Sequence, residues 1–166
     1  MTAEEKDISI SLTRDKNEFM KCARIMAAND PWIKLGMDFE TCLSAFEGDH
    51  REVYIAEYRN ELAGFVIIQV TGTFSGYIQS ICISEKYRGR GFGTTLMRYC
   101  EKRILEFSPN IFICVSVFNH GAKRLYESMG YKTVGELENF LREGFTEILM
   151  RKTAGPRLGY IPAKNE

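Results

Sequence analysis

Polar and apolar residues alternate from Ile8 to Leu12 (ISISL), the signature of a strand with one face turned inward. The next run places Phe19, Cys22, Ala23 and Met26 three and four residues apart, which predicts a helix with Asp15 or Asn17 as its cap and Pro31 as its stop. A second helix is predicted over Asp38 to Glu47, with Phe39, Cys42, Leu43 and Phe46 on one face. Three strand-like stretches follow, Glu52–Tyr58, Leu62–Val70 and Gly76–Ser84, joined by turn residues as an antiparallel meander. A longer helix from Gly91 to Phe107 aligns Phe92, Leu96, Cys100, Ile104 and Phe107 in one stripe. Ile111 to Phe118 is apolar on both alternating sets apart from Ser116, which predicts a central strand buried on both faces. A helix over Gly121–Met129 and two strands, YKTVGELE and FTEILMRK, close the pattern. The order β-α-α-β-β-β-α-β-α-β-β predicts an α/β (α+β) fold, a mixed, mostly antiparallel sheet of about seven strands with flanking helices. A doubly wound dinucleotide fold is excluded, because it would alternate strand and helix from its start.

Composition narrows the class. At 166 residues the chain suits one domain, expected over 1–153, with 154–166 as an irregular tail holding Gly155, Pro156 and Pro162. Lys plus Arg (22) balance Asp plus Glu (22), so no overall charge draws the chain to nucleic acid or an anionic membrane. The start, MTAEEKDISI, has neither the basic segment nor the apolar run of a signal peptide, and no apolar run is long enough to span a bilayer; a cytoplasmic protein is expected. The five cysteines show no metal spacing and read as small core residues, and two histidines make a multi-His centre improbable, so no metal is expected.

The densest chemistry lies in SEKYRGRGFGTTLMRYCEKRI, Ser84 to Ile104. Amides in the first turn of a helix have no internal acceptors, and with the helix dipole they make an anion site. Gly89, Gly91 and Gly93 remove side chains that would hold a phosphate away, and Arg88 and Arg90 add charge. From Glu85 to Arg103 six basic residues face two acidic ones, so a diphosphate suits the turn; an ordinary solvated basic loop is the other reading. It is not a Walker loop, since no Gly-Lys-Ser/Thr ends it, and the spacing is not G-x-G-x-x-G.

With Arg88, Gly91 and Gly93, the stretch ICISEKYRGRGFGTTLMRYCEKRI resembles the acetyl-CoA motif of the GNAT family of N-acetyltransferases, Arg/Gln-x-x-Gly-x-Gly/Ala. VSVFNHGAKRLYESMGY is similar to the family's segment of strand, Asn, helix, Tyr and terminal Gly-Tyr/Phe, and the resemblance covers roughly Ile8 to Lys152. It implies that the strands Ile78–Ser84 and Ile111–Phe118 splay apart and that pantetheine lies in the opening. There it would pair with backbone groups of Ile81, Cys82 and Ile83, its diphosphate on the amides of Arg88, Gly89, Arg90, Gly91, Phe92, Gly93 and Thr94.

Acyl transfer to an amine needs a neutral amine, support for the tetrahedral oxyanion and a proton for the departing thiolate. Tyr126 follows Asn119 by seven residues, nearly two helical turns or ~10 Å, so both can face one cleft. A phenol of ordinary pKa ~10 stays protonated at neutral pH and can donate to the CoA sulfur, the role the resemblance gives Tyr126. Without the motif, Tyr126 would read as a core aromatic and Asn119 as a helix cap, a cap being compatible with holding the pantetheine arm. The base stays open. Relatives that acetylate protein N-termini often carry Glu or His where this chain has Cys114, a poor base when buried, which weakens that assignment; Tyr77, Glu143 or Glu147 through water, and solvent, are the substitutes.

The family's acceptor side maps to Asp30–Glu40 and Glu136–Phe145, whose acids Asp30, Asp38, Glu40, Glu136, Glu138 and Glu143 predict a welcome for a cationic amine, with Trp32 and Phe39 as walls; ordinary solvated loops are the other reading. The expected partners are therefore acetyl-CoA and an amine of a small molecule, peptide or protein, with a homodimer among the states the resemblance allows. A rival is a catalytically silent acyl-CoA-binding regulator with the same fold, which Cys114 keeps open and Tyr126 opposes.

Overall fold

A computed structural model describes residues 7–163. Residues 1–6, which carry most of the stretch judged against a signal peptide, and 164–166 of the tail lie outside the described residues. The elements are β1 (Ile8–Thr13), α1 (Lys16–Ala27), α2 (Phe39–Ser44), β2 (Arg51–Tyr58), β3 (Glu61–Gln69), β4 (Tyr77–Ile83), a 3-10 turn (Glu85–Tyr87), α3 (Phe92–Leu105), β5 (Asn110–Ser116), α4 (His120–Ser128), β6 (Lys132–Glu138) and β7 (Thr146–Thr153). They match the predicted order, although α2 is shorter than its apolar pattern, Phe46 continuing the buried face from an irregular turn.

One seven-stranded sheet runs β1-β2-β3-β4-β5-β7-β6, antiparallel at every step except β4 to β5. Its two faces carry two apolar clusters. On one, α3 and α4 bring Leu96, Met97, Cys100, Ile104 and Tyr126 against Ile68, Ile78, Ile113 and Met150. On the other, α1 and α2 bring Cys22, Met26, Cys42 and Phe46 against Val53, Ile55, Phe65 and Ile67. Alternation along β2 and β3 feeds both faces, which is why these strands read as near-continuous apolar runs.

The feature that positions the site is a bulge. Ile67 on β3 pairs with Ser80 on β4 and the next residue, Ile68, pairs with Ile78, leaving Gln79 as an extra residue. A bulge bends its strand and disturbs the neighbouring ladder. On the other edge of β4 the parallel pairing with β5 consists of Tyr77 with Phe112 and Ile78 with Ile113, ending where the bulge begins. Beyond that point β4 and β5 diverge while each keeps its outer partner, β3 and β7.

The pattern misjudged β5. Ile111, Ile113 and Val115 are buried against α3 and α4, but Phe112 and Cys114, on the opposite face, are only half-buried, because α1 and α2 cover β2 and β3 and stop short of β5. Among the described residues the segment after Thr153 has no helix or strand; Tyr160 donates its hydroxyl to the Leu105 carbonyl at 2.7 Å and Arg157 donates to the Thr73 carbonyl at 3.2 Å. Among the described residues no helix is long and apolar enough to cross a membrane.

Candidate functional site

Where β4 and β5 part, two clefts open on opposite sides of the gap and meet within it. The larger, about 610 Å³, runs from the Arg88–Gly93 turn along Ile81, Cys82 and Ile83 to α4. The smaller, about 320 Å³, lies over the uncovered face of β5 and β7 and reaches the tip of the β6–β7 hairpin. Pro31, Trp32, Ile81, Asn119 and Tyr126 line both. Volumes of this order suit small ligands and cofactors.

The first cleft has a built donor end. α1, α2 and α4 are each capped by a side chain (Asp15, Asp38 and Asn119), but α3 begins at Gly91 with no side-chain cap. Its first amides, positive by the helix dipole, are left for a guest. Gly91 and Gly89 have φ of 83° and 75°, a left-handed backbone that disfavours residues with a Cβ. Gly93 has no such φ, and a Cβ there would make only ordinary contact with Ile83 Cγ1 at 3.7 Å; what a glycine keeps open is the cleft that it lines.

The two arginines do something other than expected. Arg88 folds inward, Nη2 donating to Asn29 Oδ1 and Nε to the Ile83 carbonyl at 3.3 Å, while Asn29 donates in turn to the Ile25 carbonyl at the end of α1. It lines the first cleft but is engaged as a staple between the turn and α1. The Arg90 guanidinium lies over the rings of Tyr58 and Tyr87, 6.0 and 5.6 Å from their centroids. Phe92 points into the core with the same two tyrosines. Of the predicted binding residues, Ile81, Cys82, Ile83, Arg88, Gly89, Gly93, Asn119 and Tyr126 come together around this cleft. Arg90, Gly91, Phe92 and Thr94 do not line it with their side chains, leaving only their backbone for the predicted contact.

Tyr126 projects from α4 into the junction and is 6% exposed. Among the described residues its hydroxyl makes no hydrogen bond, and burial pushes the phenol well above its ordinary range, so it holds its proton. Asn119 Oδ1 accepts from the Ala122 amide at 3.2 Å, the cap geometry foreseen, and still faces both clefts. Cys82, buried on β4, has its thiol pushed up to about 12 by burial and stays neutral.

The second cleft is apolar at its mouth and polar on its floor. Met26, Leu35 and Met37 come from α1 and the segment after it, and Phe140 and Leu141 from the hairpin tip, where they remain 54% and 56% exposed. Arg142 donates to the Leu35 carbonyl, tying the hairpin to the segment after α1. The floor holds Tyr77, Gln79, Ser80, Cys114, Ser116 and Glu147. Trp32 and Tyr77 both line this cleft. Glu143, however, is exposed and lines neither cleft, like Glu40, Glu136 and Glu138; Asp38 is taken up in capping α2, and Asp30 lines the first cleft paired with Lys34, so the predicted acidic wall is not built, and Phe39 packs on the second core instead. The acid that is present is Glu147, 3% exposed, accepting from Ser116 Oγ at 2.5 Å, its carboxyl raised above the ordinary range by burial, which the Ser116 hydrogen bond opposes. Gln79, Phe140 and Leu141 escaped the sequence reading; the only local sign was two apolar residues in a predicted turn.

Among the described residues no group of His, Cys, Asp or Glu is arranged to hold a metal. The family model "Acetyltransferase (GNAT) family" matches residues 16–131. An N-alpha-acetyltransferase from Sulfurisphaera tokodaii is 28% identical over 58% of this chain, which spans 66% of that relative's length. The N-alpha-acetyltransferase RimI of Mycobacterium tuberculosis is 27% identical over 93% of this chain and 98% of its own. The solved ribosomal-protein-S18-alanine N-acetyltransferase of Escherichia coli superposes with a TM-score of 0.71 at 17% identity, covering 93% of this chain and 98% of that one, a likeness of fold. The splayed strands, the uncapped α3 behind its glycine turn and a family match spanning most of the sheet agree: the chain belongs to the GNAT family of acetyltransferases.

Proposed function

We propose that the protein transfers the acetyl group of acetyl-CoA directly to a primary amine, and that the amine is the α-amine of a peptide or protein whose first side chains are apolar. The observation that carries the reading is the meeting of two clefts at Tyr126 through the β4–β5 gap. The first cleft is the donor side. Its uncapped helix amides receive the diphosphate, the free edge of β4 at Ile81 to Ile83 lies along the pantetheine, and the thioester reaches the junction beside Asn119 and Tyr126. The second cleft is the acceptor side. Its mouth of Met37, Phe140 and Leu141 accepts an apolar chain, whereas a polyamine or aminoglycoside would meet one carboxylate on the floor and apolar walls elsewhere.

The amine lone pair attacks the thioester carbonyl, the carbonyl electron pair moves to oxygen, and collapse restores the carbonyl while the carbon–sulfur bond breaks. Tyr126 gives its proton to the departing sulfur as the nitrogen returns its surplus proton to the phenol through water. No covalent enzyme intermediate is required. The names of the relatives support an α-amine. A silent CoA-binding regulator would need no second cleft.

The test is thiol release from acetyl-CoA across peptides with free or blocked N-termini, polyamines and aminoglycosides, with products identified by mass. Turnover of free peptides with apolar first residues, abolished by blocking the α-amine, is the expected result. Coenzyme A binding without thiol release toward any amine would overturn it.

A further inference from the structure

We infer that Glu147 on β7 is the general base that removes a proton from the acceptor ammonium, with Ser116 as its positioning residue, so that the base has moved one strand over from Cys114 on β5. The inference rests on the proposed transfer to a primary amine and names a residue for the step that reading leaves open.

Register supplies the geometry. Ser116 is directly opposite Glu147, and Cys114 opposite Leu149, so Cys114, Ser116 and Glu147 share the face of the sheet that α1 and α2 leave uncovered. Tyr77 joins that face through its pairing with Phe112. Ser116 Oγ holds one carboxylate oxygen of Glu147, Oε1, and among the described residues no hydrogen bond or ion pair engages the other. A carboxylate this deep is ordinarily matched by a cation or several donors. Here its surroundings supply a single hydroxyl and a cleft, which is the environment a passing ammonium or a bridging water would complete.

The other titratable groups facing this cleft are Tyr77 on β4, Cys114 on β5, Tyr126 on α4 and Arg51 on β2, while on β6 Glu147 faces Leu137. Burial raises Tyr77, Cys114 and Tyr126, so all three keep their protons through neutral pH. Arg51 is occupied by the carbonyls of Ser44, the last residue of α2, and of Ala45 and Glu47 after it. Among the described residues Glu147 is therefore the one carboxyl lining this cleft, and its Oε2 is free to accept. The step balances: the ammonium N–H breaks, the proton passes to Oε2 directly or through one water, and the neutral amine attacks; the protonated carboxyl then returns its proton to solvent.

The test measures kcat/KM against pH for wild type, Glu147→Gln, Glu147→Asp and Ser116→Ala, using a hexapeptide with a free α-amine and two apolar leading residues. Glu147→Gln should lower kcat/KM at neutral pH by roughly 10²–10³-fold, within the range general bases contribute. It should also replace the acidic limb set by Glu147 with one set by the α-amine itself, near pH ~8, so the defect should shrink above that pH, where the amine deprotonates unaided. Glu147→Asp should keep the limb at reduced rate. Ser116→Ala should move it to higher pH, because the lost hydrogen bond favoured the charged form. Coenzyme A affinity by calorimetry should be unchanged in all three. An unaltered acidic limb in a folded Glu147→Gln protein would overturn the assignment while leaving the transfer reaction intact; absence of turnover in the wild type would instead overturn the transfer reaction and this inference with it.

Discussion

Replacing Tyr126 by Phe separates chemistry from folding unusually well. The substitution deletes one oxygen that, among the described residues, has no hydrogen-bond partner, and it keeps the ring that packs 6.0 Å from Tyr131. Stability should therefore stay within about 0.5 kcal/mol of wild type, the range of a substitution that breaks no network, or roughly 1–2 °C in Tm for a chain of this size. The chemistry should suffer far more. Positioned acids contribute 10²–10⁴-fold. Burial makes this phenol a weaker acid than the ~8.5 typical of a thiol, so it acts by relaying a proton as the nitrogen gives one up, not by complete donation beforehand. That places the loss in the lower half of the range, about 10²–10³-fold, or ~3–4 kcal/mol of transition-state stabilisation. Continuous thiol detection with the peptide varied at saturating acetyl-CoA should show kcat and kcat/KM falling together, the mark of an interaction made in the transition state. A Phe variant retaining kcat within about threefold, where general-acid participation predicts at least 10², would refute the role given to Tyr126.

Other substitutions probe other parts of the site. Gly93→Val places methyl groups beside Ile83 at the wall of the first cleft and should weaken coenzyme A binding at least tenfold by calorimetry, with an unchanged far-ultraviolet circular dichroism spectrum. Phe140→Ser with Leu141→Ser removes the exposed apolar lip and should raise the peptide KM several-fold while leaving KM for acetyl-CoA unaltered, as steady-state titration of each substrate will show. Glu147→Gln should raise Tm at neutral pH. A carboxyl whose folded pKa is raised favours the folded state below its unfolded pKa and loses that contribution as pH rises through the folded pKa, so the gain should fade toward pH 4 in a thermal-melt series.

Local pattern was enough to place the strands and helices, because alternation along Ile8–Thr13 and the three-and-four spacing of Leu96, Cys100 and Ile104 each reflect contact with one apolar face. The glycine turn was legible for the same reason: Gly89 and Gly91 answer a local backbone requirement. What escaped depends on partners distant in sequence. The bulge at Gln79 exists only relative to β3, and no property of Gln79 announces it. Arg88 looked like a phosphate ligand, yet its hydrogen-bond partner is Asn29, 59 residues earlier. Glu147 was among the candidate bases, but alternation assigns it to the same face of β7 as exposed Arg151, so its burial, which comes from the clefted end of the fold, was not legible. Cys114 and Phe112 read as core because nothing in β5 reveals that α1 and α2 end before covering it.

The central claim is that donor and acceptor approach from opposite sides of the β4–β5 gap and touch at Tyr126. Calorimetry with a conjugate joining coenzyme A through an acetyl bridge to the α-amine of an apolar peptide tests it most directly. Occupying both clefts at once, the conjugate should bind at least ~10²-fold more tightly than coenzyme A alone, since the second contact becomes intramolecular. Affinity no greater than that of coenzyme A would contradict the account, because it would mean that the two clefts do not form one continuous path.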